Sequence, residues 1–153
     1  MYLPNPSATI ASLSRALRPD GVVLLQEFAI SSARQVDGAP LLQRALDWVL
    51  AAFRAVGVPT DMGYDLGRVL RSAGLKTPTM SVGAHWEDGP DAVAYGLLAG
   101  IVRTLLPVIT AHHIATAAEV DIDTLEERLR ETSRQGVGVL APLLVSACAR
   151  TPA

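Results

Sequence analysis

The groups able to do chemistry in this 153-residue chain are few and scattered. Glu27 closes an apolar run, Val22-Val23-Leu24-Leu25-Gln26-Glu27-Phe28, where a carboxylate could orient a hydroxyl or take its proton. The bland alternative is an exposed carboxylate at a strand end. His85-Trp86 follows a second extended stretch, and no partner residue accompanies the histidine. His112 and His113 are adjacent, so on a helix they point apart and cannot hold one metal as an i, i+4 pair would. Neither a Cys/His set for zinc nor a Gly-x-Ser-x-Gly elbow occurs. Gly136-Val137-Gly138-Val139-Leu140-Ala141 fits Gly-x-Gly-x-x-Ala on paper, but it follows a helical stretch and leads into a strand. A phosphate-cradling loop follows a strand and opens a helix, so these glycines read as a hinge.

The elements that must position these groups alternate between helix and strand. Asn5-Pro6 starts a helix with Ile10, Leu13 and Leu17 at helical spacing, and Arg18-Pro19-Asp20-Gly21 turns the chain. Val22–Phe28 is a continuous apolar run, which predicts a strand covered on both faces. Ala29 to Ala39 reads as a loop. Leu41 to Val56 carries a wide apolar stripe, and a shorter helix with Leu66, Val69 and Leu70 ends at Gly74. Lys76–Ala84 is a second strand, with Pro78 marking an edge or a strand start. Asp91 to Leu106 is a long helix that Pro107 kinks or ends, with Gly96 and Gly100 spaced for close packing. Asp123 and Glu126 fit a capping box, and Leu143–Cys148 makes the last strand, with Cys148 a small buried residue. The expected fold class is α/β.

Composition narrows the function classes. Half of the residues are hydrophobic, 18% are charged and the net charge is -2, so no electrostatic footprint for nucleic acid is present. Ala92 to Ile109 carries Arg103 and Pro107 and falls short of about 20 clean apolar residues, so a core helix is expected, not a membrane span. Met1 is followed by Tyr-Leu-Pro-Asn-Pro, which is no secretory signal, and the single Cys148 excludes an intrachain disulfide. A cytoplasmic location is the expectation.

Three stretches together resemble class I S-adenosylmethionine-dependent methyltransferases of the small-molecule and quinone-biosynthesis type. They are Tyr2-Leu3-Pro4-Asn5-Pro6 with Arg15-Ala16-Leu17-Arg18-Pro19-Asp20-Gly21 running into Val22–Phe28, then Gly67-Arg68-Val69-Leu70-Arg71-Ser72-Ala73-Gly74-Leu75, then Pro142–Arg150. The family's turn is commonly Leu-Arg/Lys-Pro-Gly-Gly, and Asp20 departs from it. The resemblance implies the C-terminal portion of a partial Rossmann-like methyltransferase sheet with flanking helices. Val22–Phe28, Pro142–Arg150 and Lys76–Ala84 would be its fifth, seventh and sixth strands, the chain's last strand running antiparallel between the other two. Helical inserts are expected at about 39–73 and 90–135. The N-terminal half, with the glycine-rich turn that holds S-adenosylmethionine, would lie upstream of Met1.

The resemblance also assigns roles. Glu27 would be catalytic, and Tyr2 and Leu3 would lie near the cofactor. Phe28, Trp48, Met62, Tyr64 and His85 would face a small-molecule methyl acceptor, although a helical aromatic stripe is more often core. Two functions follow: a fragment of a methyltransferase that needs its missing half, or a non-catalytic binding or dimerisation module derived from that fold. Without a fourth strand, Val22–Phe28 has an open edge that invites self-association.

Overall fold

The computed structural model describes residues 3–36, 38–133 and 138–152. Along the chain run α1 (Pro6–Ser14), β1 (Val22–Ala29), a 3-10 turn (Ile30–Ser32), β2 (Arg34–Val36), α2 (Pro40–Ala55), α3 (Met62–Ser72), β3 (Thr79–Gly83) and β4 (Trp86–Asp88). Then follow α4 (Val93–Ala111), α5 (Ala117–Val120), α6 (Leu125–Ser133), β5 (Gly138–Leu140) and β6 (Leu143–Arg150). The strands form two three-stranded sheets, in the orders β1-β6-β3 and β2-β5-β4, antiparallel at every pairing. The architecture is mixed α/β with two small antiparallel sheets. A Rossmann-like sheet is not formed by the described residues.

The chain divides into two compact units. The first comprises the chain up to Ala29, Asp61–Gly83 and the chain from Leu143 onward. Asn5 caps α1 by accepting the Ala8 N–H at 3.0 Å, and Pro6 occupies the first turn, where a missing N–H costs nothing. Of the three apolar positions that suggested this helix, only Ile10 is buried; Leu13 is exposed and Leu17 lies beyond the helix end. Ile10 joins Met62, Leu66, Val69, Leu70 and Leu75 over Ala147 and Ala149, with Val23 and Leu25 packed against them.

This arrangement corrects the expectation for β1. α3 packs on β1 and β6, and α1 packs on α3, so Val23 and Leu25 turn inward while Val22, Leu24 and Phe28 are exposed. An apolar run thus became a strand with one open face. Cys148, expected to be buried, is half-buried. β3 is shorter than Lys76–Ala84; it begins after Pro78 and forms a sheet edge with every residue exposed.

The second unit comprises Ile30–Thr60 and Ala84–Pro142. α2 and α3, read as one insert from the sequence, therefore fall in different units. Leu42, Ala45, Leu46, Trp48, Val49 and Ala52 of α2 pack in one core with Tyr95, Leu98, Ala99, Val102 and Ile109 of α4 and Leu125 and Leu129 of α6. The stretch read as a loop before α2 contains the 3-10 turn and β2.

α4 continues through Pro107 instead of ending there. Thr110 donates its hydroxyl to the carbonyls of Leu106 and Pro107 in that turn. By length and composition α4 could cross a membrane, with a mean hydropathy of 1.7 and 28% of it buried. Its core face accounts for the buried share, while Val93 and Leu97 are exposed.

His112 and His113 lie past the end of α4, His113 at φ 54, so they terminate the helix and share no face of it. The capping box expected at Asp123–Glu126 occurs at Thr116–Glu119, where the Thr116 N–H donates to Glu119 at 2.7 Å and the Glu119 N–H to Thr116 at 3.1 Å. Asp123 instead accepts from Arg103 at 3.0 Å. Gly138 is part of β5, and the Trp86 ring fills the space its Cβ would need, so the hinge reading fails there. Gly136 lies outside the described residues. Close packing holds for Gly96, which faces Glu126, but a Cβ on Gly100 would meet nothing.

Candidate functional site

The most distinctive surface of the first unit is the open face of the β1-β6-β3 sheet. The registers set Leu24, Cys148 and Thr79 in one row, Gln26, Ser146 and Ser81 in the next, and Phe28, Leu144 and Gly83 in a third. Gln26 donates its side-chain N–H to the Ser146 hydroxyl at 2.8 Å. Leu24 is 60% exposed and Val22 and Phe28 are each 48% exposed, so the β1 side of this face is a strip of apolar surface.

The same strand presents an open edge. The Thr151 N–H donates to the Gly21 carbonyl at 2.9 Å, which points the odd-numbered backbone groups of β1 toward β6. Strand backbone alternates, so the N–H and C=O groups of Val22, Leu24, Gln26 and Phe28 point the other way. Among the described residues no strand pairs with that side of β1. One of these donors is occupied locally, because the Phe28 N–H donates to the Glu27 carboxylate at 3.1 Å. Glu27, the expected general base, thus holds a backbone N–H of the strand edge.

Gly63 brings α3 to the C-terminal end of β1. A Cβ there would lie 2.8 Å from the Glu27 carbonyl oxygen and 3.0 Å from both the Phe28 carbonyl carbon and Val145 Cγ2. This close approach sets the α3 turn of Met62 and Tyr64 against the backbone of Glu27 and Phe28, while the Phe28 side chain stays on the open face. Within that group Met62 is core, whereas Phe28 and Tyr64 are exposed. Leu3 is 40% exposed, and Tyr2 lies outside the described residues.

In the second unit, Trp48 is buried in the core that α2 shares with α4 and α6 and serves packing. His85 is exposed and bonds through Nε2 to the Glu87 carboxylate at 2.9 Å. Glu87, which sequence reasoning passed over, does more. Its other oxygen accepts the Ala94 N–H at 3.0 Å, capping α4, whose own N-cap residue Ala92 makes no side-chain bond. That backbone N–H, aided by the His85 ring, holds the Glu87 carboxyl below its ordinary range. An acidic residue two positions after a loop histidine and shortly before a helix was the available signal.

Glu87 yields a signed prediction. A carboxyl depressed in the folded state contributes stability above its unfolded pKa and loses it as pH falls through the folded value. Glu87→Ala should cost about 1 kcal/mol at neutral pH, the usual worth of a helix cap. Urea denaturation at neutral and acid pH should show that difference shrinking as the solution is acidified. An equal difference at both pH values would contradict the capping role.

Elsewhere in the second unit, a shallow groove of about 390 Å³ is lined by Phe53, Gly96, Leu97, Gly100, Ile101, Thr104 and Leu105. Among the described residues no group of three or more His, Cys, Asp or Glu could hold a metal ion, and no buried side-chain polar atom lacks a partner. The chain matches no protein-family model, and a search of curated proteins finds no match.

Proposed function

We propose that this chain is an assembly module of methyltransferase descent, whose β1-β6-β3 sheet is completed by a strand added along β1. The observation that carries this reading is the coincidence of an open backbone edge and an exposed apolar strip on the same eight-residue strand. Strand addition would satisfy the outward donors and acceptors of Val22, Leu24 and Gln26 and cover the edge of that strip.

Methyltransferase descent is supported by the position of the chain's last strand, β6, between β1 and β3 and opposite in direction to both. The finer reading is that β1, β6 and β3 are the fifth, seventh and sixth strands of that family's sheet. The turn before β1 supports it as well. Asp20 sits at φ 59, a conformation suited to glycine, and a Cβ on Gly21 would lie 2.8 Å from the Arg18 carbonyl oxygen. The turn therefore favours glycine at both positions, as in the family's Pro-Gly-Gly.

A second reading takes the added strand from a cofactor-binding half. S-adenosylmethionine would then arrive with that half, and Glu27, Phe28 and Tyr64 would stand beside a small-molecule acceptor. The approach of α3 at Gly63 to the Glu27–Phe28 backbone, at the end of β1, favours this reading. Under both readings the chain alone lacks a cofactor site. Isothermal titration of S-adenosylmethionine into it should give no saturable heat, and tight one-to-one binding would contradict both.

The edge itself is tested by Leu24→Pro. Its N–H points away from β6, so proline removes an outward donor without breaking the β1-β6 ladder. Light scattering should show loss of any assembly while the circular dichroism of the fold persists. An assembly that survives the substitution would contradict strand addition.

A further inference from the structure

We infer that the strand completing β1 belongs to a second copy of this chain, in one two-fold register that Glu27 gates; this rests on the strand-addition reading above. The residues facing outward are Val22, Leu24, Gln26 and Phe28. An antiparallel self-pair of such an edge must match even-numbered residues with even-numbered ones. The register with Val22 opposite the partner's Phe28 and Leu24 opposite the partner's Gln26 is the one that pairs all four.

Three features favour that register. Its two ends place Gly21 opposite the partner's Ala29, so no large side chain obstructs closure. Each Glu27 falls opposite the partner's Val23, and the like charges stay apart, whereas a shift of two residues each way would set Glu27 against Glu27. On the open face, apolar Val22 meets Phe28 and Leu24 meets Gln26, so each exposed apolar side chain of the strip borders the other copy. The strand Val22–Ala29 contains no proline and no lysine, the residues that commonly protect an edge.

Among the described residues the outward N–H found occupied is that of Phe28, which donates to the Glu27 carboxylate. That N–H is one of the donors the self-pair needs, so each Glu27 must release it when two copies join. Glu27 thereby limits the pairing, and its removal strengthens it.

Cysteine scanning on the intact chain tests this, with Cys148→Ser removing the only native thiol. In the proposed register Leu25 lies opposite its own counterpart at the axis, as a pair without ladder hydrogen bonds. Such pairs have Cα atoms about 4.5 Å apart, within disulfide range. Leu24→Cys and Gln26→Cys would each be diagonal to their counterparts, at about 7–8 Å, beyond it.

Mild oxidation should therefore crosslink Leu25→Cys and leave the other two largely uncrosslinked. Light scattering on the chain with native β1 should give twice the chain mass, and Glu27→Ala should tighten the dimer roughly tenfold, as two freed N–H groups imply. Crosslinking that peaks at position 24 or 26 would overturn this register while keeping strand addition. A dimer that crosslinks at none of the three and survives Leu24→Pro would defeat both. A monomer at every concentration, for the parent chain and Glu27→Ala alike, would overturn self-pairing, and slow exchange of the Val22, Leu24 and Gln26 amides in that monomer would overturn the open edge and strand addition with it.

Discussion

Replacing Tyr95 by alanine is expected to lower stability by about 3–5 kcal/mol, the cost of deleting a buried aromatic ring. Tyr95 is 1% exposed and is among the largest fully buried side chains in the molecule. It lies on α4 in the core shared with α2 and α6, built from Leu, Val, Ile and Ala with Trp48 the other large aromatic. Alanine leaves a ring-sized cavity that side chains fixed on three helices refill only in part. Because domains are stable by only about 5–15 kcal/mol, this loss would remove a large share of the total. Urea denaturation should show a lower midpoint with little change in slope. Tyr95→Phe keeps the ring and should cost only about 1 kcal/mol, the net worth of a hydrogen-bonding hydroxyl. A loss below about 1 kcal/mol for alanine would mean that Tyr95 is not packed as described.

Gly63→Val should be among the most damaging small-to-large changes in the first unit. Two of the atoms its Cβ would meet, the Glu27 oxygen and the Phe28 carbonyl carbon, are backbone atoms of β1. That strand is paired with β6 along its whole length from Val22 to Ala29, so it cannot yield locally. The expected cost is about 1–3 kcal/mol from overpacking, with valine above alanine because its extra methyl groups enter the same gap. Thermal melts of Gly63→Ala and Gly63→Val should rank in that order. Unchanged melting temperatures would show that α3 does not approach β1 so closely.

The sequence made the long elements legible. Asn5-Pro6, the stripe of Leu42 to Ala52 and the Leu66-Val69-Leu70 face all carry local signals that the packing keeps. Two-sided burial was misjudged in β1 because Val, Val, Leu and Leu in succession look alike whether one face or both are covered. The better clue lay in β6, where Leu144, Ser146 and Cys148 alternate with buried Val145, Ala147 and Ala149. The three-residue strands β2, β4 and β5 were invisible, since periodicity needs a longer run and their stability comes from pairing with each other.

Glu27 and Phe28 stand out in the sequence by their place at a strand end. Their link to Gly63 needed coordinates, because an absent side chain leaves no mark of what it lets approach. Glu87 was missed for a similar reason: its helix-capping bond to Ala94 spans seven residues, beyond the spacing of a local cap.

Amide hydrogen exchange at Val22, Leu24 and Gln26 tests most directly whether a second copy of the chain completes β1. These amides should exchange rapidly in dilute solution and slow markedly as the chain is concentrated, while the Val23 and Leu25 amides, turned toward β6, stay protected throughout. Rapid exchange at Val22, Leu24 and Gln26 at every concentration, or protection that dilution leaves untouched, would contradict it.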